Sequence, residues 1–157
     1  MVIGLKQLFD NAGASKDISC TLPTEVFAAL KADPLASPVT VTGDVSNRAG
    51  IVKLRYTCTF TVLHTCDRCL KEFTRAYEFA FSHILVQRLS GRDESDEYVV
   101  CQDNTLDFDE LAVSDLLLEL PTKILCDEDC AGLCGTCGQD LNEGSCGCAD
   151  SPPDAIR

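Results

Sequence analysis

The stretch IVKLRYTCTFTVL, residues 51–63, decides the fold. Val52, Leu54, Tyr56, Cys58, Phe60 and Val62 fall on one side of an extended chain, and Lys53, Arg55, Thr57, Thr59 and Thr61 on the other. That period of two is the pattern of a strand with one buried face. FTRAYEFAFSHILV, residues 73–86, repeats it, with Phe73, Tyr77, Phe79 and Phe81 on one face. HTCDRCLKE joins the two runs, so the pattern predicts a long antiparallel hairpin carrying Cys66 and Cys69 at its tip.

Working outward, DISCTL (17–22) and VTVTGDV (39–45) alternate in polarity and are rich in β-branched residues, so both read as strands. PTEVFAALKADP (23–34) reads as a short helix, with Thr24 near its start and Pro34 at its end. RLSGRDESDE (88–97) reads as a polar loop and YVVCQ (98–102) as one more short strand. DFDELAVSDLLLELP predicts a helix over 107–120, with acids in its first turn, a stop at Pro121 and a stripe of Val113, Leu116, Leu117 and Leu120. The expected architecture is α+β: an antiparallel sheet built on the long hairpin, open or curled into an open barrel, with one or two helices. The expected divisions are an α+β domain over 1–125, a cysteine-rich segment over 126–148 packed on it, and a polar tail over 149–157.

The chain has 157 residues, 45% of them hydrophobic, enough for a core without staples. The N-terminus lacks a basic start, an apolar run and a small-residue cleavage site. The densest apolar stretch, LAVSDLLLEL, is too short for a bilayer and carries Asp115 and Glu119. A cytoplasmic protein is the expectation, with thiols kept reduced. Eleven cysteines are also an odd number, so they cannot all pair within one chain.

CAGLCGTCGQDLNEGSCGC, from Cys130 to Cys148, holds five of them amid almost no apolar residues. Such a segment cannot offset the entropy of its own ordering and needs another support. CGTCG offers two thiols with a glycine after the second, the turn in which backbone N–H groups face the sulfurs. CGC supplies another pair after a spacer long enough to turn back. Four thiolates around one zinc ion follow for Cys134, Cys137, Cys146 and Cys148. The C-x2-C of Cys66 and Cys69 and the C-x3-C of Cys126 and Cys130 each lack two ligands, and together they make a second set. Spacing leaves another partition open, with Cys126, Cys130, Cys134 and Cys137 sharing one ion and Cys66 and Cys69 joining Cys146 and Cys148. His64 could also replace a thiol. Cys20, Cys58 and Cys101 read as buried core thiols.

Enzymatic readings find less support. The C-x3-C-x2-C spacing within CAGLCGTC matches that of radical iron–sulfur enzymes, but those use a large α/β barrel and this chain predicts antiparallel strands. A thiol–disulfide oxidoreductase would place its C-x2-C at the start of a helix, whereas CGTC leads into the turn-like GQDLNEG. There is no phosphate loop and no H-E-x-x-H motif, and His83 sits in a predicted strand. A closed four-cysteine site leaves zinc no position for a reacting water. The expectation is a non-enzyme.

Charge is unevenly spread along the chain, whose net charge is −12. Between Arg48 and Arg75 six basic residues face two acidic ones, whereas from Asp93 to Asp154 seventeen acids face Lys123 alone. Lys53, Arg55, Arg68, Lys71 and Arg75 are thus the candidate nucleic-acid contacts, although phosphate neutralisation is weak on so acidic a chain. The acidic half could meet a basic protein.

CDRCLKEF after a long strand, followed by LPTKILCDEDCAGLCGTCGQDLNEGSCGC, closely resembles the YceD family of bacterial and plastid proteins, named for large ribosomal RNA subunit accumulation. The resemblance covers most of the chain and weakens before about Val39. It implies a cytoplasmic factor supporting accumulation of large-subunit ribosomal RNA, through ribosome assembly or protection of precursor RNA. Its partners would be that RNA, a basic large-subunit ribosomal protein, or both, with no membrane and no small-molecule substrate. Cys66 and Cys69 match the family's central pair, and Cys126, Cys130, Cys134, Cys137, Cys146 and Cys148 its cysteine-rich tail. It carries over no catalytic residue. Two alternatives remain: a cytosolic thiol–disulfide redox protein using a C-x2-C pair, and a zinc-bearing adaptor with no ribosomal role.

Overall fold

The structure is a computed structural model that describes residues 1–22, 35–88 and 98–150. The helix expected over 23–34, most of the loop expected over 88–97 and nearly all of the tail lie outside the described residues. The chain divides into two compact units: Met1–Val62 with Arg75–Leu120, and Leu63–Thr74 with the chain from Pro121 onward. The hairpin tip therefore groups with the cysteine-rich segment, whereas the sequence-based division placed the tip in the first domain.

In the first unit the described strands β2 (Ser15–Leu22), β3 (Val39–Arg48), β4 (Ile51–Thr65), β5 (Glu72–Val86) and β6 (Tyr98–Val100) form one sheet in that order. The ends of β4 and β5 extend into the second unit. β2–β3 and β3–β4 pair antiparallel, with Ile18 opposite Gly43 and Val45 opposite Leu54. The edge strand β6 runs parallel to β5, Leu85 opposite Val99, so the sheet is not wholly antiparallel. Among the described residues the sheet is open, with β2 and β6 at its edges.

The period of two in β4 translates directly into burial. Val52, Leu54, Tyr56, Cys58, Phe60 and Val62 are all buried, while Lys53, Arg55 and Thr59 are exposed. Register carries the pattern across β3, where Val41 and Val45 stand opposite Cys58 and Leu54. Gly43 stands opposite Tyr56 because nothing larger fits: a Cβ there would lie 2.2 Å from the Arg55 carbonyl oxygen and 2.6 Å from the Tyr56 Cα. β3 turns into β4 through Ala49 and Gly50, both at positive φ, the tight hairpin turn that suits the strand twist. Buried Asn47 secures it, accepting from the Gly50 N–H at 3.0 Å and donating to the Leu8 carbonyl at 2.7 Å.

The longer helix of the first unit, α2 (Phe108–Glu119), follows the short α1 (Lys6–Asp10). Asp107 caps α2 by accepting from the Glu110 N–H, and Asp109 and Glu110 sit in its first turn. The buried face consists of Phe108, Ala112, Val113 and Leu116. Of the expected stripe, Leu120 is half-buried and Leu117 is exposed. Leu118 is 83% exposed. The run of leucines is longer than one helix face, so spacing could not say which of them faces inward. Phe108 packs edge-on against Tyr56, ring centroids 5.0 Å apart, and Tyr56 lies 5.2 Å from Phe81. Two three-residue strands, β1 (Val2–Gly4) and β7 (Thr105–Asp107), pair antiparallel and escape a periodicity reading because they are too short to show one.

Cys58 and Cys101 are buried core thiols as expected, and Cys20 is half-buried. Burial, with Asp115 second, pushes the Cys58 thiol up to about 12, and burial pushes Cys101 up to about 11. His83, on β5, meets Asp115 of α2 at 2.6 Å. The Tyr56 hydroxyl donates to the same carboxylate oxygen. This shared acceptor makes His83 part of the packing between helix and sheet.

Candidate metal centres

The second unit has a single theme used twice. At the hairpin tip the Cys66 N–H donates to the Lys71 carbonyl at 2.9 Å, and the Leu70 N–H donates to the Cys66 carbonyl at 2.9 Å. In CGTCGQ the Cys134 N–H donates to the Gln139 carbonyl at 2.8 Å, and the Gly138 N–H donates to the Cys134 carbonyl at 2.9 Å. The two turns are the same turn, with equal spacing and equal partners. Each needs a left-handed residue after its second cysteine, and these are Leu70 at φ 59° and Gly138 at φ 75°. The fold turns backbone N–H groups toward the first sulfur of each pair. The Thr136 N–H reaches the Cys134 sulfur at 3.5 Å.

Around the first turn gather Cys66, Cys69, Cys126 and Cys130, and around the second Cys134, Cys137, Cys146 and Cys148. In each group all four sulfurs lie within 4.8 Å of one another. Cys66 and Cys130 are 3.8 Å apart and Cys69 and Cys126 3.6 Å apart. A tetrahedron with metal–sulfur bonds of about 2.3 Å has sulfur–sulfur edges of about 3.8 Å. A disulfide would close to about 2.05 Å, and all eleven cysteines are free. The donor chemistry and the spacing therefore fit a four-coordinate thiolate-binding ion. Among the described residues these are the groupings that form. The alternative partition is not assembled, and neither group includes His64, which is buried with its ring 5.8 Å from that of Phe73.

Electrostatics within each group are those of crowded thiols sharing one stabilised anion. Burial opposes ionisation of Cys66, but N–H donation from Cys69, Cys126 and Arg68 outweighs it and brings this thiol down to about 6. Donation from Cys137 and Thr136 brings Cys134 down to about 6 as well. Their neighbours move the other way. The Cys69 side chain pushes Cys126 up to about 12, and the Cys137 side chain pushes Cys148 up to about 12. Four sulfurs at these distances cannot all be anionic without a cation between them, and a bound cation removes that penalty.

The centres differ in their surroundings. In the first, Cys66 is 0% and Cys130 2% exposed, and Phe73, Leu125 and Leu133 pack on them. In the second, Cys137 is exposed and the other three are half-buried. Polar contacts lace the hairpin tip to the tail around the first centre. The Asp67 carboxylate accepts from the Ile124 N–H at 2.7 Å, and the Asp67 N–H donates to the Ile124 carbonyl at 2.8 Å. The Arg68 guanidinium donates to the Cys130 carbonyl at 2.9 Å, and the Arg68 carbonyl accepts from the Leu133 N–H at 3.1 Å.

The candidate nucleic-acid residues fall in both units. Lys53, Arg55 and Arg75 belong to the first unit and Arg68 and Lys71 to the second. Arg55 donates to both carboxylate oxygens of Asp44 at 3.2 Å. Lys53 and Lys71 are exposed and Arg75 is half-buried. Arg68 donates one guanidinium N–H to the Cys130 carbonyl. Sequence reasoning missed that bracing role, and it missed Asp67 and Asn142, since a polar residue in a glycine-rich turn carries no signal of what it will bond.

Comparison with known proteins finds a family over the part of the chain that bears these cysteines. The model of the family "Large ribosomal RNA subunit accumulation protein YceD" matches residues 54–156, which include all eight clustered cysteines. The chain is similar to "Uncharacterized protein YlbN" of Bacillus subtilis (strain 168), at 25% identity over 59% of this chain and 54% of that protein. It is also similar to "Uncharacterized protein Rv2926c" of Mycobacterium tuberculosis (strain ATCC 25618 / H37Rv), at 33% identity over 48% of this chain and 38% of that protein. The aligned stretch thus spans about half the length of these curated relatives or less. No solved structure matches the chain at comparable significance. With well over half of its length inside the family model, cysteine clusters included, the chain belongs to the YceD family of large ribosomal RNA subunit accumulation proteins.

Proposed function

We propose that this protein is a non-enzymatic ribosome-biogenesis factor that supports accumulation of large-subunit ribosomal RNA and carries two structural zinc ions. The observation that carries the zinc reading is the pair of four-sulfur groups, each with all its sulfurs within 4.8 Å of one another and the first with two edges of 3.6 and 3.8 Å. All-thiolate tetrahedral donor sets suit zinc or iron–sulfur chemistry, and the two repeated turns suit single ions held in closed sites. A closed site with four protein ligands supplies shape rather than reactivity. The ion at the first centre ties the hairpin tip to the tail, and the ion at the second orders a segment with little core of its own.

The ribosomal reading rests on family membership. Charge supports a division of labour in which the acidic half meets a basic large-subunit ribosomal protein and the exposed Lys53 and Lys71 touch precursor RNA. The working place is the cytoplasm; no helix among the described residues is long and apolar enough to cross a membrane. Affinity capture from cells, with and without nuclease, tests the proposal. Large-subunit precursor RNA or a basic ribosomal protein should co-purify. Recovery of neither under either condition contradicts it and favours an adaptor with no ribosomal role. The redox alternative finds less support, because neither C-x2-C pair opens a helix and each of its sulfurs sits among three others.

A further inference from the structure

Between the two halves of the second centre runs the segment from Gly138 to Ser145, and one of its side chains leaves that centre altogether. The Asn142 amide nitrogen donates to the sulfur of Cys130, a ligand of the first centre, at 3.4 Å. The same nitrogen donates to Asp140 at 2.7 Å, and the Asn142 side-chain oxygen accepts from the Ala131 N–H at 2.7 Å. Backbone contacts hold the segment in place: the Leu141 N–H donates to the Gly132 carbonyl at 2.8 Å, and Leu133 bridges Asp140. The position of Asn142 thus depends on a segment whose two ends, Cys137 and Cys146, are ligands of the second centre.

An N–H donor to a metal-bound thiolate offsets part of the sulfur's charge and fixes its direction, and such outer contacts are worth about 10–100-fold in metal affinity. We propose that the two metal centres load with positive coupling, and that Asn142 is the positioning residue that carries it. An ion at the second centre clamps both ends of the segment and holds the Asn142 amide on Cys130. Without that ion only the backbone contacts to Gly132 and Leu133 hold the segment, and the donor is held less firmly on the first centre. Coupling is reciprocal, so an ion at the first centre also favours loading of the second. This inference rests on the metal-binding reading above.

The test is a competition titration of zinc-loaded protein with a chromophoric chelator, across four chains: wild type, Asn142→Asp, Cys146→Ser/Cys148→Ser, and the triple variant. Asn142→Asp keeps the acceptor for the Ala131 N–H and loses the amide donor both to the Cys130 sulfur and to Asp140, so Asp140→Ala, which removes the second bond without the first, is run beside it as the control. Asn142→Ala is the neutral companion, should the added charge disturb folding. Loss of the second centre should weaken the first by about 10-fold or more when Asn142 is present. Asn142→Asp alone should weaken the first centre by a similar factor, and in its background loss of the second centre should have little further effect. A wild type that binds two ions, with Asn142 variants that leave first-centre affinity and the coupling unchanged, overturns the inference and spares the metal reading. A wild type that binds no ion at these thiols overturns both.

Discussion

The sulfurs of Cys66 and Cys130 stand 3.8 Å apart although 64 residues of chain separate them. One belongs to the turn between two long strands and the other to a glycine-rich tail, and both are almost wholly buried. Substituting either with serine should remove one ion of two and leave the second centre filled or weakened. Apparent zinc-binding energies in small modules run to about 10–16 kcal/mol, so the hairpin tip and tail should lose protection together in amide exchange. Loss of protection confined to the substituted turn would contradict the shared site.

Metal retention should depend on pH in one direction. The ion requires all four thiols of a centre as thiolates, while Cys126 and Cys148 are pushed up to about 12 by neighbouring thiols when no cation is present. Protons therefore compete with the ion, and affinity falls as pH falls. Zinc release followed on stepwise acidification should precede or accompany loss of tail structure. Release that is independent of pH would exclude thiolate ligation.

Leu70 occupies the left-handed position that Gly138 fills in the repeated turn. It is 64% exposed, so little packing is lost when its side chain is removed. A non-glycine residue there costs about 1–2 kcal/mol, offset by the greater entropy glycine loses on folding. Leu70→Gly should therefore raise stability by about 0.5–1 kcal/mol, measured by chemical denaturation of the metal-loaded protein. A destabilised variant would mean that the leucine side chain makes a contact its exposure hides.

Gly43→Ala should act oppositely to the usual gain from removing a strand glycine. Its Cβ would meet the backbone of Arg55 and Tyr56 at 2.2–2.6 Å, and backbone cannot step aside as a side chain tip can. A loss of about 3 kcal/mol or more is expected from overpacking at so short a distance, read as a lowered denaturation midpoint. An unchanged midpoint would contradict the β3–β4 register.

Asp115 accepts from the Tyr56 hydroxyl and meets His83. Burial, then the bond to Asp115, raises the Tyr56 phenol well above its ordinary value. The sign follows: the phenol's contribution is complete below the unfolded pKa of about 10 and is lost as pH rises beyond it. Tyr56 should ionise only as the first unit unfolds in alkali, and Tyr56→Phe should abolish that late phenolate absorbance. Asp115→Ala should cost about 2 kcal/mol by leaving buried donors unpaired.

Much of this was legible in the sequence where one periodicity dominates. The alternation from Val52 to Val62 gives the buried face of β4 residue by residue, and the capping acids of α2 mark its start at Asp107. The spacing of Cys66/Cys69 and Cys134/Cys137 identifies two half-sites. It cannot choose their partners, because that choice is made by the Asp67–Ile124 and Arg68–Leu133 bonds, which lie between segments far apart in sequence. The parallel pairing of β6 was hidden for the same reason: Tyr98–Val100 is three residues long, and its direction is set by how the chain returns to β5. The partners of the basic residues were equally hidden: Arg55 pairs with Asp44 across two strands, and Arg68 donates to the carbonyl of Cys130, 62 residues away.

The central claim is that eight of the eleven cysteines hold two ions, four to each. Elemental analysis of freshly purified, reduced protein, with the chain quantified in parallel, tests it most directly. The account predicts two zinc ions per chain, with the clustered thiols slow toward disulfide reagents until a chelator is added. Metal-free protein that stays folded, with those thiols reacting at once, would contradict it.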